Sequence, residues 1–299
     1  MANLCNIDGE ILPESEARIP VLDRGFLFGD SIYEVVRTNG GVPFGWAEHW
    51  ARLGESAKGL RMSLDLDERT VARRVATTVE RAAHGDSYVR IVVTRGVGSA
   101  PNIDLSYATG RPCWLVMVRP LPDLSGKTTR VAVVGRLRND RRALDPATKS
   151  GNYLNNILAL AEAKDMGATD CVMLNVAGNV AEASTSNVFA LLDDVWHTPP
   201  LDAGILAGVT RGMLLDFLPR CGERVVERNF EAAQLRAAKE VFLSSSLRDI
   251  APVTHVDGVA KNGGSPGPRT ASLLERWRTH ATDLLRRRAP AWHELTDPV

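Results

Sequence analysis

Lys149 opens a run of small and amide residues, Ser150-Gly151-Asn152-Tyr153-Leu154-Asn155-Asn156, and an apolar helical pattern follows at once. A second run, Glu182-Ala183-Ser184-Thr185-Ser186-Asn187-Val188-Phe189, starts 33 residues beyond the lysine. That interval has room for one helix and a β-hairpin, so amine and carboxylate must be carried on alternating α and β elements. The flanks of Lys149 are wrong for a solvated surface lysine. Small residues crowd it, and the helix behind it is apolar.

The rest of the chain reads as mixed α/β. Asp8-Gly9 between two apolar pairs signals a hairpin, and the glycines of Asp23-Arg24-Gly25-Phe26-Leu27-Phe28-Gly29-Asp30 bend the chain closely. Residues 31–38 read as a strand. Residues 48–60 read as a helix with Trp50, Leu53, Ala57 and Leu60 on one stripe. Residues 66–83 form a second helix, with Asp65 and Asp67 as candidate caps. Strands follow at 88–94 and 113–118. Proline, glycine and polar residues then mark a linker, which divides a small N-terminal α/β domain (1–120) from a larger C-terminal domain (130–299) across residues 121–129. Beyond it come a strand near 131–134 and a helix over 153–166 closed by Gly167. Strands at 171–175 and 188–192 flank a turn at 177–179. A glycine loop runs into a helix over 204–217, followed by a strand at 240–244 and a final helix at 272–288.

Composition narrows the partners. Lys+Arg and Asp+Glu are equal at 36 each, so no net charge draws the chain to nucleic acid or an anionic membrane. Arg286-Arg287-Arg288 reads as a solvated helix end. Cys5, Cys113, Cys171 and Cys221 lack metal-ligand spacing, and the histidines are dispersed, so no metal centre is expected. Cys113 and Cys171 lie in apolar runs and are expected to be buried thiols. No basic-then-apolar leader and no stretch of roughly 18 apolar residues is present, which gives the expectation of a cytoplasmic protein.

The two runs suit pyridoxal 5'-phosphate (PLP). An amine can hold the cofactor aldehyde as a Schiff base, and a carboxylate can pair with the pyridinium nitrogen. Lys149 supplies the first. Glu182, followed by small residues and a strand, supplies the second from a buried strand end. Gly204-Ile205-Leu206-Ala207-Gly208-Val209-Thr210-Arg211-Gly212 brings a glycine loop to a helix N-terminus, where free N–H groups meet an anion such as phosphate. A second phosphate candidate is Phe242-Leu243-Ser244-Ser245-Ser246-Leu247-Arg248, with Arg52 as a cationic clamp.

With these residues in view, the chain resembles the class IV aminotransferases. This is the fold-type IV PLP family of branched-chain aminotransferases, D-amino acid aminotransferases and aminodeoxychorismate lyases. The resemblance runs from Asp23 to about Thr270, on Phe28-Gly29-Asp30-Ser31-Ile32-Tyr33-Glu34, Glu48-His49-Trp50-Ala51-Arg52-Leu53, Lys149 to Tyr153, Glu182 to Phe189, Gly208-Val209-Thr210-Arg211 and Ser244 to Val253. It implies a two-domain enzyme with a pseudo-barrel C-terminal domain, a site between the domains, and a homodimer. It implies that Lys149 carries the cofactor, Glu182 contacts the ring nitrogen and Tyr153 meets the ring hydroxyl. Arg52, the Val209 and Thr210 amides, and Ser246 with its neighbour Ser245 would hold the phosphate.

Substrate residues follow the same resemblance. Tyr88-Val89-Arg90 is similar to the Tyr-x-Arg element of bacterial branched-chain enzymes, whose arginine helps receive the substrate carboxylate. Tyr88 and Arg90 on one strand face would equally suit a structural cation–π pair. Tyr33 matches an aromatic position set against the substrate side chain. Phe28 stands where many branched-chain enzymes have tyrosine, and Ser245-Ser246-Leu247 replaces the usual Gly-Thr-Ala, which places Leu247 at the pocket. Thr94 to Asp104 lacks the Arg-x-His pair typical of the D-amino acid enzymes. The expectation is a transaminase for a hydrophobic or branched-chain L-amino acid and a 2-oxo acid such as 2-oxoglutarate. A D-amino acid or (R)-amine transaminase, an aminodeoxychorismate lyase and a non-catalytic homologue are the alternatives.

Overall fold

The computed structural model describes residues 2–297. They group into two compact units: Met1–Asp123 with Thr148–Asn152 and Thr282–Val299, and Leu124–Ala147 with Tyr153–Ala281. The mixed α/β class read from the sequence holds in both.

The first unit is built on one antiparallel sheet. Its strands are β1 (Leu4–Ile7), β2 (Glu10–Pro13), β3 (Ser31–Asn39), β4 (Val42–Pro43), β5 (Ser87–Thr94) and β6 (Cys113–Pro120), in the order β2-β1-β6-β5-β3-β4. Helix α1 (Arg24–Phe28) precedes β3, and helices α2 (Trp46–Gly59) and α3 (Glu68–Ala82) connect β4 to β5. Alternation along the strands puts Ile32, Val89, Ile91, Val93, Trp114, Val116 and Val118 on one face, where they pack with Leu53, Ala57, Val71, Val75 and Val79 of the two helices. Asp67 caps α3 by accepting the Thr70 N–H at 2.8 Å. Asp65, the other candidate, instead accepts the Trp114 indole N–H at 2.8 Å. The opposite sheet face is only half covered, and Cys113 lies there half-buried rather than buried as expected.

The segment Thr148–Asn152 joins this sheet for a backbone reason. Ser150 bridges Ile32 in antiparallel fashion. Tyr33 N–H donates to Lys149 O at 3.0 Å, and Gly151 N–H donates to Ser31 O at 2.8 Å. The segment is thus a short added strand on β3. Glycine at 151 leaves room for Ser31, since a Cβ there would meet Ser31 Oγ at 2.3 Å and the hydroxyl would have to move.

The second unit is a sheet closed on itself. It contains β7 (Thr129–Val133), helix α4 (Leu154–Asp165), β8 (Asp170–Leu174), β9 (Val180–Ala183), β10 (Asn187–Leu192), β11 (Val195–Thr198), helix α5 (Val209–Arg220), β12 (Val225–Glu227), helix α6 (Ala232–Ala237), β13 (Val241–Ser245), β14 (Asp249–Val256), β15 (Val259–Ala260) and helix α7 (Pro268–Thr296), whose last turns belong to the first unit. The order β10-β13-β14-β7-β8-β9 returns to β10 through one antiparallel pair, Glu182 with Asn187. β11 and β12 extend from β10, and β15 pairs with β14. Val131, Val172, Val188, Val241, Leu243 and Val253 form one apolar cluster. The alternate residues Ala132, Cys171 and Met173 pack against Ala159 and Ala163 of α4. Strands β9, β11, β12 and β14 and helix α6 escape the sequence pattern. In β9 the carboxylate of Glu182 interrupts an apolar run that is only four residues long.

Candidate active site

Two clusters of functional side chains emerge, one in each unit. In the first unit the register of the added strand does the positioning. Side chains directly opposite one another in antiparallel strands share a face. Lys149 therefore stands beside Tyr33, its Nζ 3.3 Å from the phenol oxygen and 4.4 Å from the ring centroid. Across β3 and β5, Val35 pairs with Arg90 and Tyr33 with Val92, so Arg90 belongs to the same face. Its guanidinium lies over the Tyr33 ring at 4.0 Å. The cation–π contact of Arg90 is thus made with Tyr33 and not Tyr88, which stands two residues along β5, opposite Arg37. Among the described residues no carboxylate pairs with Arg90, which is half-buried. Phe28 ends α1 under the Arg24 guanidinium, 5.2 Å from its centroid.

Arg52 sits on the helix side of the same sheet. Its Nε and Nη2 donate to the two oxygens of Glu34 at 2.8 and 2.7 Å. His49 Nδ1 lies 2.6 Å from Glu34 Oε2. All three are buried. Burial alone would push the Glu34 carboxyl up, but the Arg52 and His49 contacts outweigh it and hold the group down at about 2. Burial also lowers the His49 imidazole. Glu34 opposes that shift, while the Arg52 and Lys149 cations reinforce it. An ionised carboxylate only accepts, so His49 Nδ1 is the donor in its contact with Glu34.

The second cluster surrounds the closure of the barrel. Glu182 Oε1 accepts from Arg138 Nε at 2.8 Å. Its Oε2 accepts from the Leu206 N–H at 3.0 Å and from Asn187 Nδ2 at 3.4 Å. Asn187 Nδ2 also donates to Leu206 O at 3.0 Å, and Arg138 Nη1 to Asn155 Oδ1 at 3.2 Å. Part of the glycine loop therefore serves the carboxylate rather than an external anion. Sequence reasoning missed Arg138 and left Asn187 without a role. Nothing in Arg136-Leu137-Arg138 separates one arginine from the other, because the choice is made by a loop without periodicity.

Val209 and Thr210 form the first turn of α5, whose cap residue Gly208 supplies no side-chain bond. Gly208 is required there, since a Cβ would meet Asn187 Oδ1 at 2.0 Å. Thr210 Oγ1 is buried and has no hydrogen-bond partner among the described residues, and Ser244 Oγ, one residue before the end of β13, is in the same condition. A buried hydroxyl without a partner on the first turn of a helix that lacks a side-chain cap fits a bound phosphate. Ser245 ends β13 and Ser246 and Leu247 lie in the turn after it; all three are half-buried, and Ser245 Oγ accepts the Arg248 N–H at 3.4 Å. Tyr153 is the half-buried residue that leads into α4. No group of acidic, His or Cys side chains suited to a metal ion occurs among the described residues.

Residues 31–256 match the model of the family described as amino-transferase class IV. A putative branched-chain-amino-acid aminotransferase of Methanocaldococcus jannaschii is 33% identical over 273 residues, covering 91% of this chain and 94% of the relative. A D-alanine aminotransferase of Listeria innocua is also 33% identical, over 89% of this chain and 92% of the relative. The crystal structure of a branched-chain aminotransferase from Thermoproteus uzoniensis, with norvaline, superposes with a TM-score of 0.87 at 28% identity, covering 96% of this chain and 97% of that one. The chain belongs to the class IV aminotransferases. Its fold is that of the family, and PLP is the cofactor the family implies.

Glu34→Gln leaves the Arg52 guanidinium buried without its counter-charge and is expected to cost about 3–5 kcal/mol in urea unfolding. The pH dependence has a definite sign. Because the folded-state value lies below the ordinary 4.5, Glu34 contributes stability that is complete above pH 4.5 and is lost as pH falls toward 2. Acid unfolding over that window should be shallower in the variant. Identical acid profiles would remove the buried anion from the description.

Proposed function

We propose that the chain is a PLP-dependent transaminase that moves an amino group between a hydrophobic or branched-chain L-amino acid and a 2-oxo acid such as 2-oxoglutarate. The observation that carries the substrate reading is Arg90, a half-buried guanidinium without a carboxylate partner among the described residues, on the same sheet face as Lys149 and Tyr33. A half-buried guanidinium without a carboxylate partner favours an anionic ligand, and an amino acid brings one carboxylate. Strand register sets Val35, Val92, Leu115 and Met117 on that face too, which supports an apolar substrate side chain.

Bound PLP would supply the electron sink for the carbanion formed at the substrate Cα. The protein's residues take the remaining tasks. Lys149 Nζ holds the cofactor and then moves the proton at Cα, with the Tyr33 phenol beside it. Glu182, hydrogen-bonded by Arg138 and the Leu206 N–H, would hold a proton on the ring nitrogen. Tyr153 would meet the ring hydroxyl. The Val209 and Thr210 N–H groups, the Thr210 hydroxyl, Ser245, Ser246 and Arg52 would receive the phosphate. Arg90 and Tyr88 receive the substrate carboxylate, and Tyr33, Phe28 and Leu247 shape the pocket for its side chain. The absence of an Arg-x-His pair from residues 94–104 favours the L-amino acid reading over the D-alanine activity named for one relative.

Four free cysteines support a reducing cytoplasm, and no helix among the described residues is long and apolar enough to cross a membrane. A homodimer suits the exposed stripe Leu154, Ile157 and Leu158 on α4, whose i, i+3, i+4 spacing marks one helix face.

Purified protein is expected to show the visible absorbance band of lysine-bound cofactor and to lose it in Lys149→Ala. A band that survives the substitution would refute the assignment of Lys149. Leucine, isoleucine and valine should donate to 2-oxoglutarate without release of pyruvate, and turnover of D-alanine with none of the three would overturn the substrate choice. Arg90→Met should raise KM for both substrates by about tenfold to a hundredfold with a smaller change in kcat; an unchanged KM would free Arg90 of its role. Light scattering should return twice the chain mass, and a single-chain mass would contradict the dimer.

A further inference from the structure

Beyond the residues named above, the barrel holds an ion pair between a buried carboxylate, Asp170, and a half-buried guanidinium, Arg248. Asp170, at the start of β8, is buried. Its Oδ1 accepts the Cys171 N–H at 2.9 Å, the Ser184 N–H at 3.2 Å and the Ser184 hydroxyl at 2.5 Å. Its Oδ2 accepts Arg248 Nη2 at 3.0 Å. The same Nη2 donates to Ser186 Oγ at 2.7 Å, and Nη1 reaches Thr129 Oγ1 at 3.4 Å.

These bonds tie two turns together. One turn, Ala183 to Ser186, closes the barrel and lies between Glu182 and Asn187. The other, Ser245 to Arg248, carries the serines and leucine proposed to face phosphate and substrate. Within themselves the turns are lightly held. Ala183 N–H to Ser186 O at 2.8 Å spans the first, and the long Arg248 N–H to Ser245 Oγ contact spans the second. Asp249 then leaves the second turn at φ +54, a left-handed conformation that a β-carbon disfavours. Burying the Asp170 carboxylate carries a desolvation cost that its attraction to the half-buried Arg248 does little more than offset. An ion pair of this kind therefore adds geometry more than stability.

We propose that Arg248 and Asp170 are a positioning pair that sets the Glu182 turn and the Ser245–Leu247 turn in one fixed relation, so that ring-nitrogen partner and phosphate ligands are aligned together. The proposal rests on the transaminase reading given above.

The test compares the wild type, Arg248→Lys, Arg248→Met and the charge-neutral double variant Asp170→Asn/Arg248→Met, using PLP titration of the apoenzyme, the visible spectrum of the holoenzyme, and urea midpoints. Arg248→Met should lose stability and bind PLP about tenfold more weakly. Arg248→Lys, which keeps the charge but cannot reproduce the fork, should recover part of the affinity. In the double variant the urea midpoint should return toward wild type while PLP affinity stays low, because the isolated charge is gone but the tie is not restored. Recovery of both together would make the pair merely structural, and unchanged affinity in Arg248→Met would overturn the proposal outright. A wild type without the lysine-dependent band would instead sink the transaminase reading itself, so the two failures are separable.

Discussion

The second unit depends on a carboxylate that cannot be left alone. Its barrel closes through a single strand pair, and one member of that pair, Glu182, is a buried acid. A buried anion without hydrogen-bond donors is far more costly than the closure could offset. The surrounding chain answers with three donors from three places: Arg138 from the loop after β7, the Leu206 N–H from the glycine loop, and Asn187 from the partner strand. Satisfying the charge and closing the barrel are the same event, which places the carboxylate at a rigid point. Rigid supports of this sort are what a group assigned to hold one proton at one atom requires.

In the first unit the corresponding constraint is register. Two backbone hydrogen bonds turn Thr148–Asn152 into an extra strand, and the strand's two-residue period then decides what Lys149 meets. One face brings Tyr33 and Arg90 to the lysine. The opposite face of β3 carries Glu34, buried against Arg52 and His49 of α2. A slip of one residue would exchange the faces and put the amine against the helix layer. Glycine at 151 suits this pairing, since a Cβ there would displace the Ser31 hydroxyl.

Much of this was legible in the sequence. The long periodic elements, the Asp8-Gly9 hairpin, the Asp67 cap and the glycine-led helix at Val209 follow from local pattern and capping chemistry, and Lys149 and Glu182 stand out by their flanks. What escaped has physical reasons. Short strands such as β9 and β12 hold too few residues to display a period. The grouping of Lys149 with the N-terminal sheet arises from long-range backbone pairing that composition does not encode. Arg138, Asp170 and Arg248 are ordinary charged residues until folding brings acceptors to them. The contact of Arg90 with Tyr33 in place of Tyr88 is a cross-strand matter, invisible along a single strand.

The central proposal is that the Glu182 side chain pairs with the cofactor's ring nitrogen and keeps it protonated. The most direct measurement is the nitrogen NMR shift of PLP labelled with 15N in its ring and bound to the protein. A protonated-ring shift is expected in the wild type throughout the neutral range, and an unprotonated one in Glu182→Gln. An unprotonated nitrogen in the wild type would contradict the assignment.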